Sequence, residues 1–163
     1  MWTLLHNKSI TAENLKRRGI YGPSQCPLCR KEEETIQHLF LDCAFTRKCW
    51  EVMVIPTTAK INYNLPIKQF MSRWKRNYPH SFKNKQTMKR LWNKLPSFLC
   101  WQLWLARNGA IFKDKTPKVS TITSKAWGLM VEFIAAKGAK GINMSQLQEE
   151  ERSWISFAAG KIK

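Results

Sequence analysis

Cys26-Pro27-Leu28-Cys29, followed by His38 and Cys43, is the stretch on which the reading of this chain turns. As spacing it is C-x2-C-x8-H-x4-C, held within eighteen residues. A C-x2-C pair on a tight turn places two thiolates on one metal. A His and a Cys from the following segment then close a tetrahedron, the geometry of a structural zinc site. Four protein ligands leave no open position for a reacting water, so a zinc ion here holds the fold and does no chemistry. The alternative is a set of ordinary buried thiols and a surface histidine.

The flanking residues favour the metal. Pro27 stiffens the turn, and Gly22-Pro23-Ser24 is a loop signal that presents it. Glu32, Glu33, Glu34 and Thr35 lead into Ile36-Gln37-His38-Leu39-Phe40-Leu41, which predicts a short helix with an acidic first turn. On it His38 points at the cysteine turn, Leu39 and Phe40 pack inward, and Cys43 falls at or just past the end. Cys49 is a competing ligand, but Cys43 keeps the tighter spacing; Cys49 and Cys100 read as core. His6 and His80 lack cysteine neighbours at ligand spacing and read as surface or capping residues.

Two blocks of the chain carry a resemblance. Thr11-Ala-Glu-Asn-Leu-Lys-Arg-Arg-Gly19-Ile20 runs into the cysteine turn, then come Glu34-Thr-Ile-Gln-His-Leu-Phe-Leu-Asp-Cys43 and Trp50. The second block, Trp101-Gln-Leu-Trp-Leu-Ala-Arg-Asn-Gly-Ala-Ile-Phe112, has the form W-x-x-W-x-x-R-N-x-x-x-F. Together they resemble the zinc-binding domain, and the segment downstream of it, that follow the reverse transcriptase of plant LINE-type (non-LTR) retrotransposons. The resemblance covers roughly residues 2 to 113. It implies the ligand role for Cys26, Cys29, His38 and Cys43, and a task in handling template RNA or target DNA beside a polymerase.

Catalytic constellations are not legible. The two aspartates, Asp42 and Asp114, are far apart, whereas polymerase and nuclease sites cluster carboxylates around two metal ions. Glu32-Glu33-Glu34 and Glu149-Glu150-Glu151 are consecutive, so on a helix they fan out; both runs read as solvated faces. P-loop, dinucleotide-turn, HExxH and Ser/His/Asp patterns do not occur. The expectation is a protein that is not an enzyme and takes no small-molecule substrate.

With 44% hydrophobic residues and eight tryptophans, the chain has the material for a packed core. Five cysteines with no legible secretory leader point to a reducing compartment, nucleus or cytoplasm. The longest apolar run, about 95 to 106, is interrupted by Ser97 and Gln102 and falls short of a membrane span, so no membrane partner is expected.

Charge is the second strong signal. The formal net charge is +17, and residues 61 to 118 hold thirteen Lys/Arg against Asp114 alone. Within them Lys68, Arg73, Lys75, Arg76, Lys83, Lys85, Lys89, Arg90 and Lys94 run uninterrupted by any acid. Cations that neutralise phosphates release counterions and bind without reading bases. Phe70, Trp74, Tyr78, Phe82 and Trp92 are interleaved with them: where exposed they can stack on unpaired bases, but Phe70 and Trp74, four apart, have the spacing of core, and Trp74 and Trp92 read as core. A solvated basic face with no partner is the plain alternative. Membrane-surface binding is disfavoured because no clean amphipathic face accompanies the charge.

The coarse pattern is mainly α: a small Cys-Cys-His-Cys zinc module followed by a helical region. Thr11 caps a short helix that Gly19 ends. Further helices are expected from Ala44 to Met53, Ile67 to Asn77, Ser81 to Phe112 with Pro96 kinking or splitting it, Val119 to Ala136, and Ser145 to about Ala159. Arg107, at the polar end of its helix, is equally suited to a phosphate or to helix carbonyls or a carboxylate within the protein. The division expected is 1–55 zinc module, 56–66 linker and 67–163 basic helical region. The functional expectation is a non-catalytic, zinc-stabilised module binding RNA or DNA without sequence preference. The rivals are a module docking on a reverse transcriptase or another protein, and a degenerate element fragment without selected activity.

Overall fold

The computed structural model describes residues 4, 6–54, 57, 59–79 and 86–136. Among the described residues five full α-helices follow one another: α1 (Ala12–Lys16), α2 (Ala44–Val54), α3 (Ile67–Arg73), α4 (Gln86–Phe112) and α5 (Val119–Ala136). A π-helical turn, His38–Asp42, precedes α2, and a 3-10 turn, Trp74–Asn77, extends α3. Among the described residues no strand forms beyond a lone antiparallel bridge between Gln25 and Glu33. The mainly helical reading holds. The helix expected from Ser145, the connection at 138–141, and the cations Lys83 and Lys85 lie outside the described residues.

Helix α1 is short, and two of its orphan N–H groups are met by side chains. Thr11, in extended conformation, accepts from the Asn14 N–H at 3.5 Å, and a Glu34 carboxylate oxygen accepts from the Ala12 N–H at 2.7 Å. Gly19, at φ +78°, turns the chain away after it, in the left-handed region where glycine carries no Cβ penalty.

Helices α4 and α5 fold back on each other through the link at 113–118, with Phe98 edge-on to Phe133 at 5.6 Å, and α2 packs on α5. The apolar core is continuous. It runs from Leu39, Leu41, Trp50 and Met53 to Phe70, Trp74, Leu99, Leu103 and Met130, across the boundary expected at 56–66. Within that segment Ile61, Tyr63 and Leu65 pack against the core. Gln37 ties its end down, accepting from the Ile67 N–H at 2.7 Å and donating to the Leu65 carbonyl at 3.2 Å.

Pro96 does not split α4, which is one helix of 27 residues. A proline in a helix has no N–H for the carbonyl four residues earlier, here that of Trp92. The Trp74 indole N–H donates to that same Trp92 carbonyl at 2.8 Å, and the Trp92 indole donates to the Trp74 carbonyl at 3.2 Å. The two rings stack with centroids 4.5 Å apart. The vacancy that proline creates is thus filled by a side chain from α3's extension.

Candidate metal centre

The cysteine turn is a small hairpin. The Cys26 N–H bonds the Glu32 carbonyl at 2.7 Å, the Glu34 N–H bonds the Ser24 carbonyl at 2.7 Å, and the Arg30 N–H bonds the Cys26 carbonyl at 2.8 Å. Arg30 closes the turn at φ +54°, a conformation open to glycine but strained for other residues. This corrects the expected acidic first turn of a helix. The backbone of Glu32 and Glu34 is committed to pairing with the other limb, so helical geometry starts only at Ile36. Thr35 is the cap, its hydroxyl accepting from the His38 N–H at 2.9 Å.

From His38 the helix widens to π geometry, with the Cys43 N–H bonded to the His38 carbonyl at 2.8 Å. In an α-helix, residues five apart point roughly 140° away from each other. The wider turn reduces that angle and brings both ligand side chains to one side, in keeping with the use of π-turns at functional sites. The carbonyls it frees are satisfied from α2: Thr46 donates to Leu39 at 2.8 Å and the Trp50 indole to Phe40 at 2.9 Å.

The hairpin and the π-turn bring together Cys26, Cys29, His38 and Cys43, whose ligand atoms all lie within 4.8 Å of one another. Cys26 Sγ is 4.0 Å from Cys43 Sγ, and Cys29 Sγ is 3.3 Å from His38 Nε2. A tetrahedral zinc with usual bond lengths needs S···S edges of about 3.8 Å and S···N edges of about 3.6 Å. Three thiols and one imidazole at this separation fit zinc, and they form a structural zinc site. The thiol of Cys26 donates to Cys43, which raises the pKa of Cys26 and lowers that of Cys43. The Glu32 carboxylate, 3.4 Å from His38 Nδ1, is placed to hold the ring with Nε2 toward the thiols, a role the spacing did not reveal. Cys49 and Cys100 are buried apart from this set, and desolvation pushes each thiol up to about 12.

Glu34 is not part of a solvated face. It is 1% exposed, and its carboxylate takes two hydrogen bonds from Arg107, Nε to Oε1 at 2.8 Å and an Nη to Oε2 at 2.9 Å. Arg107 is itself buried and lies over the Trp104 ring. Of its expected partners, the carboxylate is the one the fold uses. Burial of a charge is tolerated only with such pairing, and the Arg fork matches a carboxylate.

Of the nine expected phosphate-binding cations, Lys68, Arg73, Lys75, Arg76, Lys89, Arg90 and Lys94 are described, and all are exposed. Lys94 lies 5.2 Å from the Phe133 ring centroid. Among the described residues no carboxylate pairs with any of the seven. Their aromatic neighbours behave differently: Phe70, Trp74 and Trp92 are buried around Trp50. Those three rings are core, as the four-residue spacing suggested for the first two.

Residues 1–50 match the model of a protein family described as zinc-binding in reverse transcriptase. The match includes all four ligands and Glu34, and it ends at Trp50, before α3 to α5. No curated protein and no solved structure gives a significant match.

Proposed function

We propose that this chain is a non-catalytic, zinc-organised nucleic-acid-binding module of the kind that follows the polymerase in plant LINE-type non-LTR retrotransposons. It acts in a reducing compartment, nucleus or cytoplasm, and binds RNA or DNA without sequence preference. The observation that carries the reading is the set of exposed cations described between Lys68 and Lys94, none of them in an ion pair with a carboxylate among the described residues. Such a face gains affinity from counterion release rather than from base contacts. The zinc contributes rigidity: its four ligands come from the protein, leaving no position for a substrate.

The test is a titration of the zinc-loaded protein into labelled RNA and duplex DNA at several salt concentrations. A log–log slope of roughly −3.5 to −5.5 is expected for about four to six neutralised phosphates on a duplex. Charge reversal at Arg73, Lys75 and Arg76 should flatten it. Absence of binding at low salt overturns the reading.

A second reading, docking on a polymerase, is favoured by a separate feature. Ile10, Ile20, Tyr21 and Ile111 are exposed and line one groove beside the cysteine hairpin. Binding to a protein partner that added nucleic acid does not disturb supports this reading over the first. No helix among the described residues is long and apolar enough to cross a membrane.

A further inference from the structure

The rings of Phe70, Trp74 and Trp92 are consumed by the core and Tyr78 is half-buried edge-on to Trp92, so among the described residues the face from Lys68 to Lys94 offers phosphate contacts without a fully exposed ring. Exposed aromatic surface lies further along α4. Trp101 is 53% exposed and Phe112 74% exposed. With Leu105 they recur at i, i+4 and i+11, which places all three on one side of the helix. Phe112 is about 27 Å along α4 from Lys94, at 1.5 Å per residue.

At that end the chain forms an open groove of about 380 Å³ between the last turns of α4, the link at 113–118 and the first turns of α5. Leu105 and Phe112 supply apolar wall, and Lys113, Lys115, Lys118 and Lys125 supply charge. No carboxylate lines it; Asp114, exposed in the link at φ +46°, is the adjacent acid. The positive end of α5 opens on the same space. A strand of nucleic acid has use for both parts: phosphates along the lysines and unpaired bases against the rings.

We propose that this groove and the adjoining stripe of α4 form a subsite for single-stranded nucleic acid. Phe112 and Trp101 stack on unpaired bases, and Lys113, Lys115, Lys118 and Lys125 hold the phosphates. In a duplex the base faces are already stacked, so the subsite selects single strands, while the face from Lys68 to Lys94 contacts either form. This inference rests on the nucleic-acid reading above and assigns it a strand preference and a place.

The experiment compares a labelled oligothymidylate of about twelve nucleotides, within the usual range for one binding unit, with a duplex of equal length. The zinc-loaded 163-residue chain is titrated as wild type, Phe112→Ala, Trp101→Ala, Lys115→Glu/Lys118→Glu and Arg73→Glu/Lys75→Glu. Phe112→Ala should weaken single-strand binding roughly 5- to 150-fold, the loss expected for one stacked base, and leave duplex binding within about twofold. Lys115→Glu/Lys118→Glu should follow the same pattern, whereas Arg73→Glu/Lys75→Glu weakens both ligands. If the wild type binds but Phe112→Ala and Lys115→Glu/Lys118→Glu leave the oligothymidylate affinity unchanged, the subsite is wrong and the wider reading survives. Equal losses on both ligands also overturn the strand preference. A wild type that binds neither ligand at low salt overturns both readings.

Discussion

Glu34 and Arg107, 73 residues apart, form a buried two-pronged ion pair that joins the zinc hairpin to the C-terminal part of α4, the longest helix among the described residues. One Glu34 oxygen also receives the Ala12 N–H, so three segments meet on a single carboxylate. The pair therefore sets the position of the family-matched first third against α4.

Removing the arginine leaves a carboxylate buried and unpaired. Arg107→Ala should lower the stability of the protein by about 3–5 kcal/mol, read as a shift of the urea midpoint. Arg107→Lys should recover only part of this, because an ammonium cannot fork across both oxygens. The exposed pair of Lys16 and Glu33, 3.9 Å apart, is the control: Lys16→Ala should cost under about 1 kcal/mol. Equal effects of Arg107→Ala and Lys16→Ala contradict the role given to the buried pair.

Trp74 and Pro96 should be energetically coupled although they exchange no hydrogen bond. Trp74→Phe leaves the Trp92 carbonyl without a donor, and an unsatisfied buried acceptor costs about 1–3 kcal/mol. Pro96→Ala supplies a backbone N–H at the position from which a helix satisfies that carbonyl. The double substitution should thus be less damaging than the sum of the two single ones. Strict additivity in a double-mutant cycle by urea denaturation counts against it.

The elements that sequence made legible are those fixed by local chemistry. Thr11 and Gly19 bound α1 because capping and left-handed turns are decided within a few residues. The ligand set is legible because metal geometry restricts spacing. Glu34 was hidden because three consecutive glutamates are chemically alike, and only Arg107, far along the chain, distinguishes one. The undivided α4 was hidden for the same reason: the group that compensates Pro96 comes from Trp74. The π-turn has no local signature, since its freed carbonyls are paid for by Thr46 and Trp50 on the next helix.

Cys49 and Cys100 provide a pH test. Burial raises each thiol from 9.0 to about 12. A group whose folded pKa lies above its unfolded value contributes stability that is fully present below the unfolded value and is lost as pH rises toward the folded one. Stability should therefore fall between about pH 9 and 12, and Cys100→Ala, measured against its own neutral-pH value, should show a shallower alkaline decline. In iodoacetamide labelling of the zinc-loaded protein at pH 8, neither thiol should react until the protein unfolds. Rapid labelling of Cys100 in folded protein contradicts its burial.

The claim on which the rest depends is that one zinc is held by Cys26, Cys29, His38 and Cys43. Native mass spectrometry of the intact protein tests it most directly. The account predicts one zinc per chain, bound with loss of the three thiol protons of those ligands, retained in Cys49→Ala and lost in Cys26→Ser and His38→Ala. A chain that remains metal-free in the presence of zinc, or one whose zinc survives Cys26→Ser and departs with Cys49→Ala, contradicts it.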